Sequence, residues 1–391
     1  MPKPGAKPSR VIRSPQVMEA LISLVRPRLP LAVEHTRITE EDLLYVLTYA
    51  SVHRTSMDAA CTELDQAPSA NRFREVLAAA LPARPRLQRG LNTILRQQLP
   101  RPLLKGKRSY VLAMDVTLIP YHGQPQTDEK EVVRGAPKAG TTHFHGYATV
   151  SIVHSQRRYV VALRFLQAGE NMGTIVRALL KRVKRLGIRV RRVYLDKGFC
   201  AMEVFKTLAR RGLSYIIPIP VRGKAGGVRR LFVGRASYWT TYTFNEGKPG
   251  AYTVQAASLR RYCKGRYGRH GVKWFAYAVA GLPAGMPLRQ VFERYRERFG
   301  IESSYRQMND VRARTTTRNP AIRLLLVGLA FILVNLYVAL RDRLATDTAG
   351  RIYPVRFWLS LRRLAFLLGR VVEQQFGVAG VIQHRHSTVL S

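Results

Sequence analysis

The chain has 391 residues, 46% of them hydrophobic and 23% charged, with 65 Lys+Arg against 24 Asp+Glu. That length holds two to three domains and that composition can bury a large core, which excludes a generally disordered chain. A net charge of +41 calls for a polyanion partner: nucleic acid first, through counterion release from phosphates, an anionic membrane surface second. Cys61, Cys200 and Cys263 are far apart, odd in number and form no C-x-x-C, which argues against a disulfide scaffold and a cysteine zinc site.

Residues 1–15 are basic and proline-rich without the apolar stretch of a signal peptide, and read as a disordered tail. Helical periodicity then runs from Gln16 to about Pro100. Thr39-Glu40-Glu41-Asp42 supplies a capping hydroxyl and first-turn acids for a helix ending near His53; after Arg54-Thr55-Ser56 a short helix spans Met57 to Leu64. Two such helices in a basic chain fit either a helix-turn-helix DNA binder or an all-helical packing domain. The first domain is read as 1–107, a basic tail and helical DNA-binding domain.

Beyond a basic linker the pattern becomes β-rich. Ser109–Leu118 reads as a strand, Gly146–His154 and Arg158–Leu166 as a hairpin, Glu170–Leu186 as a helix, Val190–Leu195 as a strand, Ala201–Arg211 as a helix and Ser214–Pro218 as a strand. This βββ-α-β-α-β order predicts an α/β fold, a mixed sheet flanked by helices, over 108–219. Residues 220–283 read as a β-rich insertion, with strands near 237–244 and 272–279. Helix returns over 284–345, first as one helix from Leu288 to about Arg314, then as an apolar segment. Leu324 to Leu340 carries no charge but is flanked by Arg323 and Arg341; at the short end of the spanning range, it reads as a buried core helix with no membrane partner. A basic helical segment, 346–391, closes the chain.

Acids inside apolar strands need an explanation in so basic a chain. Asp115 lies within VLAMDVTLIP, where burying a carboxylate is costly unless it is paired or metal-bound. Asp196 closes the strand VRRVYL, at the end where an open sheet meets its ligand, although an aspartate before Lys197-Gly198 also serves as a turn or cap residue. On one continuous helix at about 100° per residue, Tyr295, Arg298, Glu302 and Asn309 fall within about 60° of each other. That face carries a phenol, a guanidinium, a carboxylate and an amide; the plainer alternative is a surface Arg298–Glu302 pair.

These acids, in this order, resemble those of the DDE transposases of insertion sequences, in particular the group related to the IS-four family, whose catalytic Glu lies in a Tyr-x2-Arg-x3-Glu-x6-Lys signature. Tyr295, Arg298 and Glu302 match; Asn309 stands in the Lys position. Asp196-Lys197-Gly198-Phe199 is similar to the family's Asp-x-Gly-Phe, and the apolar helix with Asn335-Leu336-Tyr337 to the helix after its Glu. The resemblance covers about residues 108–342. It implies an RNase H-like mixed sheet with a β-rich insertion and an N-terminal all-helical domain. It also implies catalytic, metal-binding Asp115, Asp196 and Glu302, with two Mg²⁺ ions (Mn²⁺ substituting) bridged by Asp115. The implied activity is metal-dependent cleavage at the element's inverted ends and strand transfer to target DNA. The implied partner is double-stranded DNA, bound by a dimer, in the cytoplasm on the nucleoid. The alternatives are an inactive or repurposed DNA-binding protein, and an RNase H-like nuclease without strand transfer.

DNA contacts are expected at Tyr295, Arg298, Asn309 and Arg306, the last as a partial substitute for the absent Lys. Arg260, Arg261, Lys264 and Arg266 lie in a run to His270 that interleaves charge with aromatics, suited to phosphates and exposed bases. The run Lys181 to Arg192, seven basic residues in twelve, is either a DNA contact or a solvated face. Trp239 and Trp274 either pack the insertion or wedge into DNA. His143 and His145 fall on one side of an extended segment, as structural residues or as an incomplete metal site.

Overall fold

The computed structural model describes residues 12–31, 33, 36–105, 107–154, 157–264, 270–283, 285–345 and 359–380; for 105, 154, 157, 299–303 and 345 it describes the backbone alone. The chain divides into two compact units, one of residues 1–94 with 307–391, the other of Leu95–Arg306.

The first unit is helical. Its helices are α1 (Ser14–Val25), α2 (Glu40–His53), α3 (Met57–Glu63), α4 (Ala70–Ala80), most of α5 (Arg84–Gln97) and, after the second unit, α11 (Pro320–Ala345) and α12 (Leu361–Phe376). The remaining helices, α6 (Arg101–Lys105), α7 (Met172–Arg185), α8 (Met202–Ala209), α9 (Leu288–Arg296) and α10 (Phe299–Asp310), lie between α5 and α11 in sequence. The start of α2 follows its sequence: Thr39 and Asp42 form a reciprocal capping box, with N–H to oxygen distances of 3.1 and 2.8 Å. It ends at Arg54 in the left-handed region, φ 56°, and Ser56 caps α3 by accepting from the Ala59 N–H. The C-terminal segment is not separate from these helices: α12 packs on α1 and α2, with Tyr45 edge-on to Phe376 and His53 3.7 Å from Glu373.

Helix α11 is long and apolar enough to cross a membrane, but 94% of its apolar window is buried inside the protein. Its partners include α5: a Cβ on Gly328 would lie 2.5 Å from the Leu91 side chain. Replacing Gly328 with leucine is expected to lower unfolding free energy by about 1–3 kcal/mol through overpacking, read from urea denaturation.

The second unit is built on one sheet: β1 (Ser109–Pro120), β2 (Val133–Lys138), β3 (Thr141–His154), β4 (Arg157–Phe165), β5 (Arg189–Leu195), β6 (Ser214–Pro218), β7 (Tyr238–Phe244), β8 (Tyr252–Cys263) and β9 (Gly271–Ala280). The order is β2-β3-β1-β5-β6-β9-β8-β7, with β4 also paired to β3. Strands β4-β3-β1 run antiparallel, while β5 and β6 lie parallel to β1. With α7 and α8 between the parallel strands, this is the RNase H-like mixed sheet, carrying a β insertion. Amphipathic α7 buries Ile175, Val176, Leu179, Leu180 and Val183 and exposes Arg177, Lys181, Lys184 and Arg185.

Two local expectations need correction. Strand β2, sequence VRGAPK, was not expected; Gly135 and Pro137 count against a strand, and the segment survives because it is an edge element on β3. The helix from Leu288 to Arg314 is two helices, α9 and α10, separated by a turn at Glu297–Arg298 with i→i+3 backbone bonds of 3.1 and 2.9 Å. Angles counted along one helix from Tyr295 to Asn309 do not apply across that break.

Candidate active site

The strand register brings the first two acids together. Met114 lies opposite Leu195 in the parallel β1–β5 pair, so the next residue on each strand is an aspartate. Asp115 continues β1, where it pairs with Thr149 of β3. Asp196 leaves β5 and opens a turn whose Phe199 N–H returns to the Asp196 carbonyl at 2.9 Å. Phe199 is buried and anchors the turn, which explains the Asp-x-Gly-Phe spacing locally.

A single guanidinium closes the pair. Arg298 donates from Nη1 to Asp115 Oδ2 at 3.3 Å and from Nη2 to Asp196 Oδ1 at 3.1 Å. Its side chain is 6% exposed, against 16% for Asp115 and 34% for Asp196. Asp115 also accepts from the Val116 N–H through Oδ1 at 2.8 Å. Burial pushes the Asp115 carboxyl up to about 6 despite the opposing pull of Arg298, and the Asp196 charge adds to the rise.

Tyr305 of α10 ties that helix to the strands. Its hydroxyl donates to the Asp115 carbonyl oxygen at 3.0 Å and lies 2.7 Å from Thr149 Oγ1. Burial, then the Asp115 charge, raises the Tyr305 phenol well above its ordinary value, so it stays protonated and able to donate. Neither Tyr305 nor Thr149 was singled out from sequence. The available signals were a tyrosine one turn beyond Glu302 and polar Thr149 and Ser151 alternating within the apolar strand GYATVSIVH. Replacing Tyr305 with phenylalanine is expected to cost about 1 kcal/mol of stability, measured by denaturant melts.

Glu302 lies in α10, one turn before Tyr305; its side chain is outside the described residues. Among the described residues no group of three His, Cys, Asp or Glu side chains is placed to hold a metal ion. The donor set of the aspartate pair nevertheless fits a hard cation. Both donors are carboxylate oxygens, and one oxygen of each converges on a single positive group, the Arg298 guanidinium, which stands in for such an ion.

The other expected residues fall in different places. Tyr295 is in the core, not on a DNA-facing surface: it is 6% exposed and packs against Tyr194 and Tyr277, with ring centroids 6.5 and 5.2 Å away. Arg298, in the turn between α9 and α10, points to the two aspartates. Arg306 and Asn309 are exposed on α10. Arg260, Arg261 and Lys264 lie in or just after β8, three strands from β5. Arg260 is exposed and donates to the Arg235 carbonyl; Arg261 sits 3.9 Å above the Phe292 ring, and Lys264 is exposed. Arg266 is outside the described residues. Trp239 is 36% exposed on edge strand β7, whereas Trp274 of β9 stacks on Phe232 at 5.9 Å. Of the two histidines, His145 is buried edge-on to Tyr121, and His143 is half-buried beside Arg134. The segment 220–283 does not form a sheet of its own, because β9 hydrogen-bonds to β6 and extends the central sheet.

The transposase DDE domain family matches residues 106–336, and the chain belongs to that family. The fold is similar to that of piggyBac transposase in a cryo-EM structure of its synaptic complex with hairpin DNA. The two are 12% identical over 94% of this chain and 81% of that one, with a TM-score of 0.58. Argonaute of Kluyveromyces polysporus with a guide RNA overlaps at 8% identity, 78% of this chain and 35% of that one, with a TM-score of 0.22, a level that carries no structural argument. No curated protein matches the sequence.

Proposed function

We propose that this protein is a DNA transposase of the group related to the IS-four family, which cuts at the inverted ends of its own element and joins the freed 3′-hydroxyls to target DNA. The observation that carries this reading is the pair Asp115 and Asp196, set side by side by the β1–β5 register in a chain of the transposase DDE domain family. The narrower group is supported by Tyr295-x2-Arg298-x3-Glu302 and Asp196-Lys197-Gly198-Phe199, with Asn309 as the departure.

Asp115, Asp196 and Glu302 would hold two Mg²⁺ ions, with Mn²⁺ as a substitute. When bound, such ions activate the attacking water or 3′-hydroxyl and stabilise the leaving oxygen. The chain supplies the rest. The Val116 N–H and the Tyr305 hydroxyl fix the Asp115 carboxylate and the backbone that carries it. Arg260, Lys264, Arg266 and Arg306 meet phosphates of the duplex, Asn309 adds an amide donor, and exposed Trp239 offers a ring to an unstacked base. Tyr295 and Trp274 serve packing, and Arg261 anchors β8 on α9 through Phe292. Two element ends are handled by a dimer, a synaptic assembly of the kind named for the piggyBac structure. The work is done in the cytoplasm on nucleoid DNA.

The test is the protein's own coding locus with flanking DNA, end-labelled and incubated with Mg²⁺, Mn²⁺ or EDTA. Cuts at inverted repeats that require the ion are expected; tight binding with no cut under either ion would contradict the enzymatic reading.

A further inference from the structure

We propose that Arg298 is the built-in counter-cation of this site: it holds the position between Asp115 and Asp196 while the site is free of metal, opposes metal entry, and yields that position when a divalent cation binds. This rests on the reading of Asp115 and Asp196 as metal ligands.

The register that makes the two aspartates neighbours also makes them repel each other, and the low exposure of Asp115 strengthens that repulsion. A positive group between them relieves it. Arg298 provides one with a separate nitrogen for each carboxylate, at 3.3 and 3.1 Å, and with almost no exposure to water. A guanidinium stays charged at any working pH, so it cannot release the acids by losing a proton; it can release them only by moving. Its location suits movement. Arg298 is in the two-residue turn between α9 and α10, so its side chain can leave the aspartates without unwinding either helix. Behind it is the Tyr295 ring, with its centroid 5.5 Å from the guanidinium carbon.

Two roles for Arg298 predict opposite signs. If it only holds the carboxylates in place, its loss disorders them and weakens metal binding. If it occupies the cation position, its loss removes a competitor and tightens metal binding.

The experiment measures Mn²⁺ affinity of the full-length, EDTA-stripped protein by electron paramagnetic resonance of the free ion, for wild type, R298Q, R298K and D196N, with thermal melts in EDTA and in Mn²⁺. R298Q is expected to bind Mn²⁺ about tenfold or more tightly than wild type, as removal of a close buried charge implies. R298K, which keeps a charge but loses the two-pronged fork, is expected to fall between them, and it carries the test if R298Q fails to fold. In EDTA, R298Q should melt below wild type, with Mn²⁺ raising its melting temperature more than that of wild type. D196N should lose at least tenfold in Mn²⁺ affinity. Unchanged or weaker Mn²⁺ binding in R298Q and R298K, with D196N defective, would overturn the role of Arg298 and leave the metal site standing. Wild-type affinity in D196N would instead remove the metal-site reading itself.

Discussion

Replacing Asp196 with alanine is expected to abolish DNA cleavage and strand transfer, by at least about a thousandfold in rate, while DNA binding stays the same or tightens. Phosphoryl transfer of this kind depends on charge stabilisation at the reacting phosphate, and single groups that supply it are worth 10²–10³-fold or more. Binding should survive because duplex affinity comes from many phosphate contacts in a chain of net charge +41, and removing a carboxylate beside the phosphates takes away a repulsion. Asp196 follows the last residue of β5, and its side chain makes no helix-capping bond, so alanine leaves the turn intact. Single-turnover cleavage and a mobility shift on one labelled end give both numbers. Equal loss of binding and cleavage would mean that the substitution had damaged the fold.

Asp115→Asn is expected to end activity equally, but to stabilise the metal-free protein at neutral pH. The Asp115 carboxyl titrates at about 6 in the fold against 3.8 when unperturbed. Between those values the folded state holds a proton that the unfolded state has lost, so wild-type stability falls as pH rises through that window. Above about pH 6 the ionised group costs about 3 kcal/mol, at about 1.4 kcal/mol per pKa unit. Asparagine is neutral throughout and lacks this cost. In EDTA the mutant should therefore melt close to wild type at pH 4, pull ahead between pH 4 and 6, and keep a constant lead above pH 7. A lead that shrinks with rising pH would show that the Arg298 pairing outweighs burial.

The parts of this fold that rest on short-range pattern were legible in sequence: the capping box of α2, the strand and helix order around Asp115 and Asp196, and the apolar helix α11. Asp115 stood out because a carboxylate in VLAMDVTLIP has no packing reason to be there. What pattern could not supply was long-range. That Met114 faces Leu195 is a matter of register, and register makes the two acids neighbours. The contact from Tyr305 to the Asp115 carbonyl joins residues 190 positions apart, and no local propensity signals it. The helical face from Tyr295 to Asn309 assumed an unbroken helix, whereas the chain turns at Glu297–Arg298. Arg298 in that turn pairs with the aspartates, and Tyr295 packs with Tyr194 and Tyr277. Strand β2 was missed because its Gly and Pro argue for a loop, and edge position tolerated them.

On the proposed function the protein joins DNA ends and does not only cut them. The most direct measurement supplies element ends already cut to expose their 3′-hydroxyls, a supercoiled target plasmid and Mg²⁺, and looks for covalent joints between the two. Joints with wild-type protein that are missing with D196A, and that contain the supplied 3′ ends, are the predicted result. Metal-dependent nicking of the plasmid without any joint would contradict it and identify a nuclease built on the same sheet.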